Sequence, residues 1–393
     1  MGEHFARIVT EKQKPMVEEK KGNFAVGCWT DWNRPGASKK CGGVGWYRIV
    51  NPLSKAKNAQ AISGEHIKIG GEVTNAVENA KYLKGLGNVW FFKYIDDFNP
   101  VAHLLSAKRV VGAKLVVDAD DDMFNVHPHN YAYQHHFPGS PKQKALSYLF
   151  ENADAITVST EALKKTLEKR FKAPIKILPN CIDTSIWDHK LGRKTKLNMF
   201  KSDKETDDVE IVEVETNPEN IRIGWICSAS HEQDAPEVYN ALKEILEKYK
   251  NVELWCVGWR PTSFEDFPRT YWIQGTSDYE DYPKFLCELG LDISIAPLIP
   301  DEFNKSKSNI KWMEASMAGI PTVASNYEPY HCIDHYKTGY LAKNDREWVK
   351  YLSWLIEEKE TREKIAIAAK KEVLEKYTSE KIVPMYEEFI SSL

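Results

Sequence analysis

The chain has no close pair of cysteines. Its seven cysteines (Cys28, Cys41, Cys181, Cys227, Cys256, Cys287 and Cys332) are odd in number and scattered, with no Cys-x-x-Cys among them. This excludes a disulfide framework and a zinc knuckle, and it fits reduced thiols in a cytoplasmic protein. No apolar run approaches the ~20 residues that span a bilayer. The segment Met1 to Lys21 is charged and lacks an apolar core, so it does not read as a signal peptide. A net charge of −4 gives no global attraction to nucleic acid or anionic lipid. There is no low-complexity tract.

What is present is enough apolar material for two cores, 42% of 393 residues. Strand-like apolar runs alternate with helical periodicity, the pattern of an α/β fold with parallel sheets. After a loosely attached segment 1–22, strands are expected at Asn23 to Cys28, Val89 to Ile95, Ala113 to Asp118, Ala155 to Ser159 and Ile175 to Leu178. Helices are expected at Pro100 to Val111, Pro141 to Asn152 and Thr160 to Phe171, giving a first Rossmann-like domain over 23–188. A second series over 221–376 has strands at Ile221 to Cys227, Val252 to Val257, Thr270 to Ile273, Ile293 to Pro297 and Thr322 to Ser325. Its first helix carries a capping-box spacing in Asp234-Ala-Pro-Glu237. Helical periodicity runs from Asp345 to Lys376, and an amphipathic helix closes the chain over 377–393. Between the halves, 189–220 is basic and then acidic. It reads as a solvated insertion beside the hinge, with an edge hairpin over Val209 to Glu215 or an acceptor-contacting flap as alternatives.

The most informative stretch is Asn304 to Ser325. With Ser306 as a cap, Lys307, Lys311 and Glu314 follow i, i+4, i+7 spacing on one helix face, and Ile310, Met313 and Met317 form the opposite apolar stripe. Two lysines near the positive end of a helix dipole repel each other unless an anion binds, and a phosphate answers that need. Glu314, one turn further on, is placed to accept hydrogen bonds from a ribose diol.

Lys307-Ser-Asn-Ile-Lys311, Glu314 and Ala318-Gly-Ile-Pro-Thr-Val-Ala-Ser325 resemble the nucleotide-sugar site of GT-B glycosyltransferases, in particular the retaining group called family 4. The resemblance implies two Rossmann-like domains facing each other across a cleft, with the C-terminal helix crossing back to the first domain. It implies sugar transfer from a nucleotide-diphosphate donor, UDP- or GDP-linked, to an acceptor hydroxyl with retention at the anomeric carbon. It also implies no cofactor and no metal. Glu314 matches the family's ribose-binding Glu, with Ser308, Asn309 and Ile310 in the same donor segment. The family carries a further Glu eight positions earlier, where this chain has Ser306.

Other clusters fall at expected strand ends, where ligands of such sheets bind. Gly42-Gly-Val-Gly45 opens a helix; Gly43 and Gly45 permit close approach of backbone to a diphosphate, and Arg48 adds charge. Ser228-Ala-Ser-His231 ends the first strand of the second half. Family members often place Arg and Lys there, and Ser228 and His231 stand in their place. Gly275 and Thr276 begin the loop that corresponds to the family's base-contacting loop. Asp118-Ala-Asp-Asp-Asp122 is followed by His127. Asp120, Asp121, Asp122 and His127 are candidate catalytic groups on the acceptor side, orienting a hydroxyl or taking its proton. A turn cap and an Asp-x-Asp metal site are the rival readings of the carboxylates. Two other functions fit the same pattern. One is transfer to a hydroxymethylated base in DNA, with Lys190 to Lys204 as contact surface. The other is non-catalytic binding of a sugar nucleotide, suggested by Ser306 and by the absence of Arg or Lys near His231.

Overall fold

The computed structural model describes residues 22–29, 41–63, 73–202, 209–276 and 279–393. The expected loose segment 1–22 lies outside these apart from Gly22. Among the described residues the strands form two sheets. The first contains β1 (Ala25–Trp29), β2 (Ala59–Ser63), β3 (Val89–Lys93), β4 (Lys114–Ala119), β5 (Ala155–Val158) and β6 (Ile175–Ile177). These run parallel in the order β2-β1-β3-β4-β5-β6. Trp90, Phe91, Val116 and Val117 on neighbouring strands are all buried, as a parallel sheet covered on both faces requires. Helix starts follow the local chemistry. Ser140 caps Pro141–Glu151 through Gln143 N–H, and Thr160 caps Glu161–Glu168 through Leu163 N–H. Beyond these expected elements lie β2 and the helix Val73–Leu86, which the sequence reading passed over.

The second sheet contains β7 (Lys196–Ser202), β8 (Val209–Glu215), β9 (Ile221–Cys227), β10 (Val252–Gly258), β11 (Thr270–Ile273), β12 (Ile293–Ala296), β13 (Thr322–Ser325) and β14 (Tyr340–Ala342), in the order β14-β13-β12-β9-β10-β11-β7-β8. β14, only three residues long, was not expected. The charged connector takes the form of the edge hairpin, with most of β8 exposed. Its basic and acidic halves pair as an antiparallel hairpin, with Lys196 opposite Glu215 and Lys201 opposite Glu210. β7 joins the sheet edge through Met199 against Ile273. Lys194 meets Glu288 at 2.5 Å and Lys201 meets Glu210 at 3.4 Å, so basic residues of this stretch are turned toward carboxylates. The long helical stretch is two helices, Asp345–Glu357 and Lys359–Lys376. Asp234 does not cap a helix. It lies inside a 3-10 segment, Ala229–Glu237, and the α-helix starts only at Tyr239.

The last helix, Ser379–Ser392, crosses back to the first domain. Its entry is fixed by a bridge between Ile182 and Thr378. Ser379 Oγ hydrogen-bonds Asn51 Oδ1 at 2.9 Å, and Glu387 accepts from Lys57 N–H at 2.7 Å. Tyr386, fully buried, packs on Phe91. Among the described residues no helix is long and apolar enough to cross a membrane.

The glycine-rich helical run begins at Gly43–Gly45, continues as a π-helix over Trp46–Val50 and ends as an α-helix over Asn51–Lys55. It lies directly on β1. A Cβ at Gly27 would stand 2.2 Å from Leu53 Cδ1 and 2.9 Å from Ile49 Cγ2, so a larger residue there must displace both side chains. Gly27→Ala is expected to destabilise the protein by about 1–3 kcal/mol through overpacking. Denaturant unfolding of the variant measures this, and unchanged stability would show that the helix floats on the strand.

Candidate active site

The two sheets turn the C-terminal ends of their strands toward each other, and loops from both meet at a cavity of about 270 Å³. One wall is built from residues 302–317. The helix there opens later than expected, at Ile310, with Asn309 at the cap position and no side-chain cap. Ser306 instead ends the short preceding helix Glu302–Lys305, its hydroxyl bonded to Glu302 O at 3.2 Å. Lys307 therefore lies in the turn before the helix and Lys311 in its first turn. Both still line the cavity, together with Ser308 and Glu314. Ile310 lines it too, while Met313 and Met317 are buried behind. The expected opposite stripe thus loses its first member. Past the helix end, Gly319 takes φ +74°, the left-handed turn that returns the chain to β13.

The charges on this wall are strongly conditioned by burial. Lys311 Nζ donates to Ile226 O at 2.6 Å at the end of β9, and burial lowers its pKa. Lys307 Nζ sits 4.4 Å from the centre of the Phe303 ring and 3.4 Å from Asp121 Oδ1 across the cleft. Glu314 accepts from Tyr47 OH at 2.9 Å and from Tyr282 OH at 3.2 Å. Burial raises its carboxyl to about 7.

After β9, Ser228, Ser230 and His231 also face the cavity. His231 Nδ1 is 2.8 Å from Asp234 Oδ2. The other Asp234 oxygen accepts from Ile299 N–H at 3.0 Å and Asn304 Nδ2 at 2.7 Å. Burial raises Asp234 to about 6. Burial, followed by the fields of Lys311 and Lys307, pushes His231 well below the usual histidine range.

The opposite wall comes from the first domain. Arg48 reaches the cavity edge but is 1% exposed and fully engaged, which corrects the expectation that it offers charge to a ligand. Its guanidinium pairs with both oxygens of Asp118, at 2.6 and 2.9 Å, and donates to Leu178 O and Asn180 Oδ1. Asp120 and Asp121 line the cavity. Lys93 stands 3.9 Å from Asp120. Asp122 does not join them. It is buried and caps its own turn, accepting from Phe124 N–H at 3.2 Å and Asn125 Nδ2 at 2.7 Å. His127 is also away from the cavity lining, its Nδ1 accepting from His129 N–H.

Four further sequence candidates lie off the cavity. Gly45 is buried inside the helical run. Asn309 is turned to Cys332 Sγ at 3.2 Å. Gly275 packs toward Gly258. Thr276 shares its loop, whose Ser277 and Asp278 lie outside the described residues. Tyr279, beyond them, meets Tyr47 edge to face and stacks with Tyr282. Sequence reasoning passed over Val44, Tyr47, Asn180 and Tyr330, which line the cavity, as does Ser230, whose hydroxyl belongs to the serine motif at the end of β9. Tyr47 and Ser230 sit inside motifs already singled out. Asn180 follows a Leu-Pro at the end of β6, a strand-end signal. Tyr330 has no local signal.

Across the cleft, Asn180 Nδ2 donates to Ser308 Oγ at 2.9 Å, Thr160 Oγ1 to Ser306 O at 2.8 Å, and Asn130 Nδ2 to Ser230 O at 2.9 Å. Among the described residues no group of three or more His, Cys, Asp or Glu side chains is placed to hold a metal ion.

A family model described as glycosyl transferase-like matches residues 236–387, the half that carries the lysines and Glu314. The whole architecture recurs in solved structures. HepE from Anabaena, solved with UDP and glucose, is 14% identical at a TM-score of 0.62, covering 94% of this chain and 99% of that one. A glycosyltransferase from Rickettsia africae is 12% identical at 0.59, covering 94% and 98%. Sucrose-phosphate synthase from Thermosynechococcus elongatus is 9% identical at 0.58, covering 94% and 100%. The chain has the GT-B glycosyltransferase fold. No curated protein matches it by sequence. Within this GT-B frame the cavity occupies the interdomain cleft, and the glycosyl transferase-like half supplies its lysines.

The buried carboxyls give the protein a pH signature. Unfolded, Glu314 loses its proton near 4.5; folded, it keeps it up to about 7. The folded state therefore binds more protons between those values, and stability falls as pH rises through that window. Asp234, moved from 3.8 to about 6, acts in the same direction. Glu314→Gln is expected to remove its share of the decline, leaving Asp234 in the same direction and His231, whose depressed pKa makes stability rise with pH, in the opposite one. Melting temperatures from pH 4.5 to 8 test this, and a variant curve parallel to wild type would refute it.

Proposed function

We propose that the protein transfers a sugar from a nucleoside-diphosphate donor, with UDP as the nucleotide, to an acceptor hydroxyl. The observation that carries this reading is the meeting of Lys307, Lys311 and Glu314 on one wall with Asp120 and Asp121 on the other, inside a single interdomain cavity. The two cations match a diphosphate, and in a half-buried site their attraction for it is much stronger than in water. Glu314, already accepting two hydroxyl hydrogen bonds, is equipped to accept them from a ribose diol in place of Tyr47 or Tyr282. HepE, solved with UDP and with UDP-glucose, supports the choice of UDP.

In this mechanism the lysines stabilise the leaving diphosphate as the glycosidic bond breaks. Asp120 and Asp121 orient the acceptor hydroxyl or receive its proton from the first-domain side. Retention of anomeric configuration rests on the family resemblance, and proton NMR of the first-formed product tests it. No metal enters the proposed reaction. Lys93 and Lys307 beside the two carboxylates support that, because each supplies a positive charge where a metal would otherwise stand. Turnover lost to EDTA and restored by Mn²⁺ or Mg²⁺ would overturn it. The seven thiols, all free, support a cytoplasmic location.

The primary test is a thermal-shift and calorimetric screen of nucleoside diphosphates, in which UDP is expected to raise the melting temperature. Lys307→Ala is expected to weaken UDP binding by about 1.5–3 kcal/mol while leaving the fold intact. Glu314→Gln is expected to weaken UDP more than its 2′-deoxy analogue. Unchanged affinity in the first variant, or equal losses for the two nucleotides in the second, would count against the donor assignment.

A further inference from the structure

The end of β9 offers no permanent cation to a diphosphate, yet it holds a histidine buried against an aspartate. We propose that His231, aligned by Asp234, takes up a proton from solvent when the donor diphosphate binds and donates it from Nε2 to a phosphate oxygen. This rests on the nucleoside-diphosphate reading given above and adds a proton-coupled step to it. One N–H bond forms, at Nε2, and no bond of the donor breaks. One proton moves from buffer to the ring, and the diphosphate supplies the compensating charge.

The geometry fixes which nitrogen does what. Asp234 spends one oxygen on Ile299 N–H and Asn304 Nδ2, and its other oxygen faces His231 Nδ1 at 2.8 Å. A carboxylate so placed selects the tautomer with the proton on Nδ1. Nε2 is then the nitrogen left for whatever occupies the cavity that His231 lines. Asp234 acts through His231, as a positioning residue.

The surrounding charges explain why the proton arrives only with the ligand. Lys307 and Lys311 face the ring from the helix-start wall and Asp121 from the first domain. Asp234 is on its own turn, with Glu232 beside it in sequence and Asp301 close to Asp234. In the empty site, burial and the two lysines hold the imidazole neutral, since a third cation would repel both. A diphosphate neutralises the lysines and adds negative charge where water is excluded, which reverses the balance. The chain thus gains its third phosphate-facing cation without carrying three like charges in the empty cleft.

Wild-type protein tests this directly by nitrogen NMR of labelled histidine and by calorimetry in buffers of different ionisation enthalpy. With UDP, the His231 imidazole is expected to become protonated at neutral pH, with about one proton more taken up than in His231→Gln. Uridine, which lacks phosphate, is expected to leave the ring neutral. The affinity ratio of wild type to His231→Gln is expected to be about tenfold at pH 6 and to shrink by pH 8. Asp234→Asn is expected to reduce the proton count even where UDP still binds. Bound UDP with a neutral imidazole and equal proton counts overturns the inference alone, as does equal protonation by uridine. Failure of any nucleoside diphosphate to bind overturns the inference and the donor reading together.

Discussion

The buried pair of Arg48 and Asp118 is the constraint from which the site's first-domain wall follows. Asp118 is the penultimate residue of β4, and without a partner its carboxylate would be an uncompensated charge in the core. Removing one member of such a pair costs about 3–5 kcal/mol. Arg48 answers it from the π-helical turn of the glycine-rich run, and its remaining donors hold Leu178 O and Asn180 beyond β6. One guanidinium therefore joins the glycine-rich helical run, β4 and the loop after β6. It places Tyr47, its neighbour, over the cleft, fixes Asn180 against Ser308, and leaves Asp120 and Asp121 as the carboxylates of the strand end that face the cavity. A residue that looks like a ligand-binding arginine in sequence works here as the support for those that face the ligand.

The second constraint is that the cleft is bridged. Tyr47 to Glu314, Asn180 to Ser308, Thr160 to Ser306 and Lys307 to Asp121 all join one domain to the other. Each gives a polar group of the cleft a partner in the other domain. A ligand entering the cavity has to exchange its own hydrogen bonds for some of these, and the exchange is easiest at Glu314, where hydroxyl replaces hydroxyl. Under the proposed function, nucleotide binding would be coupled to the relative position of the two domains through these contacts, with the size of the coupling set by the difference between bonds lost and bonds gained.

Most of the fold was legible because its signals are local and repeated. Buried parallel strands such as Ile221–Cys227 and Thr322–Ser325 are short apolar runs between helical patterns, and their bounds follow from composition. Ala59–Ser63 and Tyr340–Ala342 escaped because a short edge strand with small or mixed residues has no periodicity to distinguish it. The hairpin of 196–215 was ambiguous for a different reason: its apolar partners, Leu197 with Val214, Met199 with Val212 and Phe200 with Ile211, lie among charged residues, and their matching is visible only once the register is known. In the site, the Lys307, Lys311 and Glu314 spacing placed all three on the cavity even though the helix starts at Ile310, because the preceding turn keeps Lys307 on the same side. Asp122 and Arg48 could not be sorted from sequence. An Asp capping its own turn and an Asp facing a cleft look the same until burial and hydrogen-bond partners are known.

The two departures from the resembled family, Ser306 for a carboxylate and no Arg or Lys near His231, fit together when charges are counted around the cavity. Ser306 is 1% exposed, its carbonyl held by Thr160 and its hydroxyl by Glu302 O. A carboxylate at that depth would need a cation, but Lys307 is already turned toward Asp121, and Lys311 is bonded to Ile226 O. An unpaired buried charge of that kind is strongly unfavourable. A permanent cation at 231 would meet the opposite difficulty, joining two lysines in an empty site. A neutral serine at one position and a histidine of variable charge at the other keep the unliganded cleft tolerable, and they concentrate the gain in electrostatic energy at the moment an anionic ligand arrives.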